Sequence, residues 1–418
     1  MGRPRVVIVG AGFGGLAAAK ALKHVPVDGL LIDRHNYHLF QPLLYQVASG
    51  LLDPSEIAHP IRTVLRRRHN IDVLMAAVTG IDVPERRVYT SAGSEPYDML
   101  VLAAGSTTNF FDIPHLESHA SGLKSLPEAL TLRARVLDAF ERAAACTDAD
   151  RRARLLTFAV VGGGPTGVEC AGAFAELFRH VLPKDFRHLD FGEVTLVLVE
   201  GTGELLGTFT PRLRRKAAKT LERKGVHVLL NRLVRDVSGD ALVLDDGTRI
   251  DAETVIWTAG VHAVPAASLL GTHAASLGRV PVTSTLHLPE HPEIFVIGDL
   301  AELHERDAPL PMLAPVAIQQ GQHVARVISA RVAGRPEPSF RYRDKGTMAT
   351  IGRGAAVAQI GPIRINGFIG WLIWIFVHLV YLIGFRSRTI ALATWGWNFL
   401  FYDRPVRLIV QVPGSKEA

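Results

Sequence analysis

The stretch VVGGGPTGVECAGAFAE, residues 160–176, reads as a strand, a glycine-rich turn and the start of a helix, and it is the second such unit in the chain. The first is VVIVGAGFGGLAAA, residues 6–19. Each places three glycines at GxGxxG spacing directly after a β-branched run: Gly10, Gly12 and Gly15, then Gly162, Gly164 and Gly167. Backbone N–H groups bare of bulky side chains, at the positive end of a helix, suit a pyrophosphate. An acid ends the next strand in both cases. Asp33 closes LLID roughly 20 residues on, where a carboxylate accepts hydrogen bonds from ribose hydroxyls. Glu200 closes VTLVLVE after a longer interval, which an insertion at residues 179–192 accounts for. A carboxylate there accepts both ribose hydroxyls of NAD and repels a 2′-phosphate, so NADH is expected over NADPH.

Outward from these cradles, RVVIVG, GLLID, DMLVLAAG, TFAVVG, VTLVLVE, TVIWTAG and EIFVIGD read as buried strands alternating with helical patterns. The expected fold is α/β, with doubly wound parallel sheets in two Rossmann-like dinucleotide-binding domains. The cradle recurs about 150 residues on, which suits two related domains better than a repeat array. AGRPEP, residues 333–338, reads as a linker to a different C-terminal region.

With 418 residues, 48% hydrophobic and 21% charged, the chain has room for two or three domains. A net charge of +6 suits an anionic lipid surface. No helix-turn-helix, zinc finger or aromatic RNA platform is present, so nucleic acid is not an expected partner. The two cysteines, Cys146 and Cys170, form no CxxC, which gives a thiol redox pair little support. HNYH, residues 35–38, imitates a metal pair but lacks a third ligand, and no metal is expected. The first strand opens by residue 5 or 6, leaving no room for a leader, so the catalytic domains are expected to stay in the compartment of synthesis.

YDMLVLAAGSTTN, residues 97–109, and EIFVIGDLAE, residues 293–302, are strand-ended turns. With the two cradles they resemble the two-dinucleotide-binding-domain flavoproteins of glutathione-reductase type. That resemblance assigns Gly10, Gly12, Gly14, Gly15, Asp33, Ala104, Gly105 and Asp299 to non-covalent FAD, and Gly162, Gly164, Gly167, Glu200 and Gly260 to NADH. Four further stretches narrow it: HNYHLFQPLLYQVASG (35–50), VVGGGPTGVECAGAFAEL (160–177), VAIQQGQHVA (316–325) and RDKGTMATIGRGAAVA (343–358). Together they resemble the type II NADH:quinone oxidoreductases, the non-pumping NADH dehydrogenases, over nearly the whole chain.

The resemblance implies hydride transfer from NADH to FAD N5, then delivery of two electrons and protons to a membrane quinone, menaquinone or ubiquinone, without proton pumping. It places Glu169 beside the nicotinamide and flavin, Gln319 and Gln320 on the quinone side, and Lys345 near a quinone oxygen or the flavin. The bland alternatives are a surface helix glutamate, two solvated glutamines and a surface lysine. Ile318 departs from the family pattern, which often has an aromatic residue there. Residues 315–331 read as a helix whose positive N-terminus suits negative charge on a reduced flavin. The implied domains are FAD-binding at 1–118 and 265–345, NADH-binding at 119–264, and a membrane-anchoring and dimerising region at 346–418.

GFIGWLIWIFVHLVYLIGF, residues 367–385, has 19 residues without formal charge, near the threshold for a spanning helix. The residues leave a spanning helix, a buried dimer helix and, with the tryptophans, Arg386 and Arg388 just after the run and a second aromatic stretch at 389–402, a platform lying in one leaflet all open; the family resemblance implies the platform. His378 reads as a packing residue. The family resemblance adds a homodimer, held peripherally on the cytoplasmic face of the inner membrane. Two other functions stay open: a sulfide:quinone oxidoreductase, which needs redox cysteines near the flavin, and a non-catalytic NADH-sensing flavoprotein.

Overall fold

The computed structural model describes residues 2–113, 115–238, 241–305 and 308–409, and these fold as two compact units. The first comprises residues 2–39, 58–107 and 261–344 of the described chain. Its heart is a five-stranded parallel sheet in the order Ile294–Val296, Met99–Leu102, Arg5–Val9, Asp28–Asp33, Ile71–Met75. Val7 pairs with Leu30 on one side and Leu100 on the other. Val6, Val7 and Ile8 are wholly buried. That is the reason a continuous apolar run, not an alternating one, marks a strand covered on both faces. Each such side chain contributes about 1.5–3 kcal/mol of burial. One face carries Val7, Val9, Leu30, Ile32, Leu100, Leu102 and Val296 into a shared core. An antiparallel meander of Val78–Asp82, Arg87–Thr90 and Gly93–Pro96 belongs to the same unit.

The helix Phe13–Ala21 follows the first strand and packs on the long helix Ala314–Val332. Glycine is required at this crossing: a Cβ on Gly321 would run into the Gly14 carbonyl, and one on Gly14 would meet the Ile297 side chain at 3.2 Å. Residues 333–338, read as a linker, are tied to their own helix. The Glu337 carboxylate accepts from Arg331 Nε at 2.6 Å, and the Pro338 carbonyl lies 3.0 Å from His323 Nε2.

The second unit comprises residues 40–57, 108–260 and 345–409 of the described chain. It repeats the parallel plan in the order Ala120–Gly122, Thr254–Trp257, Thr157–Val161, Thr195–Glu200, Val226–Leu230. Its core gathers Ala159, Val161, Val197, Val199, Val255 and Trp257. The long interval before Glu200 is filled by irregular helical turns at Leu177–Val181, Leu182–Lys184 and Phe191–Glu193. The C-terminal part adds an antiparallel sheet, Thr347–Thr350, Ala356–Ile360 and Ile363–Asn366, and then two helices.

Those helices divide the apolar run that the sequence presents as continuous. Gly367–Tyr381 ends before Gly384, whose φ of +86° only glycine adopts readily, and Phe385–Phe401 begins just after it. Arg388 reaches back across the break, donating to the carbonyls of Leu382 at 2.7 Å and Val380 at 2.9 Å, so it closes the first helix's frayed end. Fifteen residues of helix span about 22 Å, short of the roughly 30 Å hydrocarbon core. No helix among the described residues is long and apolar enough to cross a membrane.

Candidate functional site

In the first unit the glycine turn is shaped by contacts that exclude a side chain. Gly10 has φ +99°, and a Cβ on Gly15 would fall on the Gly10 carbonyl. Gly12 differs: nothing lies within 4 Å of where its Cβ would stand, so the helix N-terminus is open on that side. Asp33 ends its strand with one carboxylate oxygen accepting the Ala11 N–H at 2.6 Å and the other the His35 N–H at 2.7 Å. The carboxylate is thereby held at the mouth of the turn.

His38, which the sequence presents only as half of a false metal pair, completes this turn. It is buried, its Nδ1 lies 2.8 Å from the Ala11 carbonyl, and its ring meets Phe13 edge-on at 5.2 Å. Burial pushes its pKa down to about 4, against the smaller upward pull of the Ala11 hydrogen bond, so it is a neutral donor at physiological pH. Ser106 donates to Asp299 at 2.5 Å, joining the two strand-ended turns of this unit, and Gly105 beside it has φ +76°. Ala104 is exposed.

The long helix begins where expected, with Pro315 in its first turn. Gln320 is 1% exposed and accepts the Gly298 N–H at 2.6 Å, next to Asp299, which overturns the solvated alternative for it. Gln319 forms a reciprocal pair with the Arg343 backbone, donating to its carbonyl and accepting its N–H, both at 3.0 Å.

The second unit builds the same turn. Gly162 has φ +108°, a Cβ on Gly167 would fall on the Gly162 carbonyl, and the position of a Gly164 Cβ is open. Glu200 accepts the Gly163 N–H at 2.5 Å and the Thr202 N–H at 2.7 Å. Gly260 accepts the Asn109 N–H at 3.1 Å and faces the Phe111 ring. Lys345 is exposed, just ahead of the strand Thr347–Thr350.

Glu169 is buried on the helix Pro165–Glu176. The surface alternative therefore fails. Its Oε1 accepts from the Thr350 N–H at 3.1 Å and from Trp374 Nε1 at 3.3 Å. Burial pushes its pKa up to about 8, and the Thr350 and Trp374 hydrogen bonds pull weakly the other way. Trp374 and Thr350 are the partners that motif reading misses, because the contacts span about two hundred residues. Cys170, beside Glu169, is fully buried and its thiol is pushed well up by desolvation.

The helix Gly367–Tyr381 turns Trp374 and Gly370 inward and exposes Phe368, Leu372, Phe376 and Val380, a ridge at four-residue spacing. Phe376 is 68% exposed and Phe385, at the head of the next helix, 85%. His378 packs on Trp374 with ring centroids 4.1 Å apart and its Nδ1 2.7 Å from the Trp374 carbonyl.

Residues 4–321 match the family of pyridine nucleotide-disulphide oxidoreductases. The chain is 44% identical to the type II NADH:quinone oxidoreductase Ndh of Mycobacterium tuberculosis, over 95% of this chain and 88% of that one. It is 42% identical to NdhA of the same organism, over 96% and 88%. Among solved structures, NDH2 from Plasmodium falciparum in complex with NADH superposes with a TM-score of 0.87 at 20% identity, covering 97% of this chain and 99% of that one, a likeness of fold. On its sequence and its paired cradles, this chain belongs to the type II NADH:quinone oxidoreductases, within the pyridine nucleotide-disulphide oxidoreductase family.

Proposed function

We propose that this chain oxidises NADH and reduces a membrane quinone through non-covalently bound FAD, without pumping protons. The observation that carries the reading is the pair of glycine turns, each open at its central glycine and each faced by a held carboxylate. The first turn fits FAD: Gly12 leaves room for a pyrophosphate, Asp33 is placed for a ribose, and Asp299 lies on the late turn joined through Ser106. When bound, FAD supplies the two-electron chemistry that links nicotinamide to quinone. Domains at 1–118 with 265–345, 119–264 and 346–418 would then bind FAD, bind NADH and meet the membrane.

In this reading Gly162, Gly164, Gly167 and Gly260 receive NADH, and Glu200 accepts its ribose hydroxyls. Glu169 borders the nicotinamide. Gln320 holds the turn at Gly298, Gln319 orders the segment at Arg343, and Lys345 offers a cation toward the quinone. The exposed ridge on the helix Gly367–Tyr381, continued by Phe385, Trp397, Leu400 and Phe401, lies on one leaflet. A lipid-soluble quinone then enters without leaving the membrane. A homodimer on the cytoplasmic face of the inner membrane completes the proposal. Cys170 is sealed in the core, and that burial counts against sulfide chemistry.

An anaerobic flavin absorbance trace tests the reading. Rapid bleaching by NADH followed by rapid recovery on adding a menaquinone or ubiquinone analogue is expected. Bleaching without recovery would leave an NADH-sensing flavoprotein.

A further inference from the structure

Glu169 is held by two neutral donors, and both come from residues after 345. One is the backbone of the strand Thr347–Thr350. The other is the inward face of the same helix whose outward face is the exposed apolar ridge. Trp374 is 2% exposed and cannot turn freely: His378 stacks on it at 4.1 Å, and Trp395 of the last helix lies at 5.5 Å. Trp395 is fixed in turn by donating to Gln46 Oε1 at 2.7 Å, and Gln46 donates to the Tyr45 hydroxyl at 2.9 Å. One row of aromatic rings and hydrogen bonds thus joins both C-terminal helices to the carboxyl of the second cradle.

We propose that Trp374 is a positioning residue for Glu169: its indole N–H fixes the carboxyl from the platform helix, so that this helix governs NADH oxidation besides meeting the membrane. The proposal rests on the reading of Glu169 as the nicotinamide-side residue. The groups that face Glu169 are few. Cys170 on its own helix and Tyr45 on the helix Leu44–Ala48 both feel its charge and are neutral at physiological pH. Thr350 and Trp374 supply the hydrogen bonds. Glu176, ion-paired with Lys224 at 2.7 Å and Arg404 at 3.5 Å, lies one step further, acting on Tyr45. A donor to the ionised carboxyl favours that form, so losing the indole N–H moves the titration of Glu169 upward.

The test is the pH dependence of flavin reduction by NADH in stopped flow, on the full flavin-loaded chain. The wild type shows a transition that Glu169→Gln abolishes. Trp374→Phe keeps the transition and moves its midpoint up by about half a pH unit or more. Trp395→Phe, which removes the indole N–H serving Gln46, leaves the midpoint in place. A transition that survives in Glu169→Gln overturns the reading of Glu169, and this proposal with it. An unmoved midpoint in Trp374→Phe, or an equal shift in Trp395→Phe, overturns the positioning role alone. Trp374→Leu, which has no side-chain donor either, is read in the same way should the Phe variant not fold.

Discussion

The two cradles share a backbone and differ in the helix that follows. In both, the first glycine takes a positive φ, the third presses on the carbonyl of the first, and the middle one stands open. The helix Phe13–Ala21 buries only glycine, alanine and leucine, and meets its neighbour at near backbone-to-backbone distance. The helix Pro165–Glu176 buries two carboxyl side chains, Glu169 and Glu176, each served by donors from distant segments of the chain. A close-packed crossing cannot shift without breaking, which suits a resident cofactor. Buried carboxylates respond to charge nearby, which suits a substrate that arrives, reacts and leaves.

The largest effect expected comes from breaking either turn. Gly15→Ala sets a methyl group on the Gly10 carbonyl, and Gly167→Ala does the same to Gly162. Such overpacking costs about 1–3 kcal/mol or more. The comparison predicts different phenotypes: Gly15→Ala purifies without flavin, whereas Gly167→Ala keeps its flavin and is not bleached by NADH. The flavin-to-protein absorbance ratio decides it, and flavin loss in both variants would end the division of labour. Gly12→Ala and Gly164→Ala are the matched controls. Their added carbons meet no protein atom, so the cofactor-free chain keeps its thermal stability within about 0.5 kcal/mol of wild type while FAD or NADH binding is weakened separately.

A smaller effect is expected at the acids. Glu200 braces two loop N–H groups, and its charge is what would repel a 2′-phosphate. Glu200→Gln keeps an acceptor oxygen and removes the charge. The ratio of kcat/KM for NADH over NADPH should fall by about tenfold, roughly 1.4 kcal/mol. Equal values for the two nucleotides in the wild type would remove the role.

How far sequence reaches can be judged from the same residues. The seven strands and both glycine turns are legible because a buried parallel strand must be continuously apolar and a tight turn must be glycine. The helix read at 315–331 forms as Ala314–Val332. The break at Gly384 is hidden inside an apolar run, since hydrophobicity alone does not report φ. The edge strands Ile71–Met75 and Val226–Leu230 escape notice because they are only partly buried and carry polar residues. Contacts of Glu169 with Trp374 and of His38 with Ala11 leave no local signature, because they are set by how sheets and helices close over distant segments.

Two effects of pH carry opposite signs in the two cradles. His38 is held near pKa 4 in the fold against about 6.5 when free, so between those values the unfolded chain binds the extra proton. Stability from the first cradle therefore rises as pH goes from 4 to 6.5. Glu169 is held near 8 against 4.5 when free, so between those values the folded chain keeps a proton that the unfolded chain has lost. Stability from the second cradle therefore falls as pH rises from 4.5 to 8. Urea midpoints measured from pH 4 to 8 separate the two, because His38→Gln should remove the rising contribution and Glu169→Gln the falling one. Above pH 6.5 only Glu169 of this pair still contributes, so Glu169→Gln should lose less stability than wild type between pH 6.5 and 8. A parallel decline in both would mean that the carboxyl is ionised in the fold, and the contrast between a cradle that holds and a cradle that responds would then rest on packing alone.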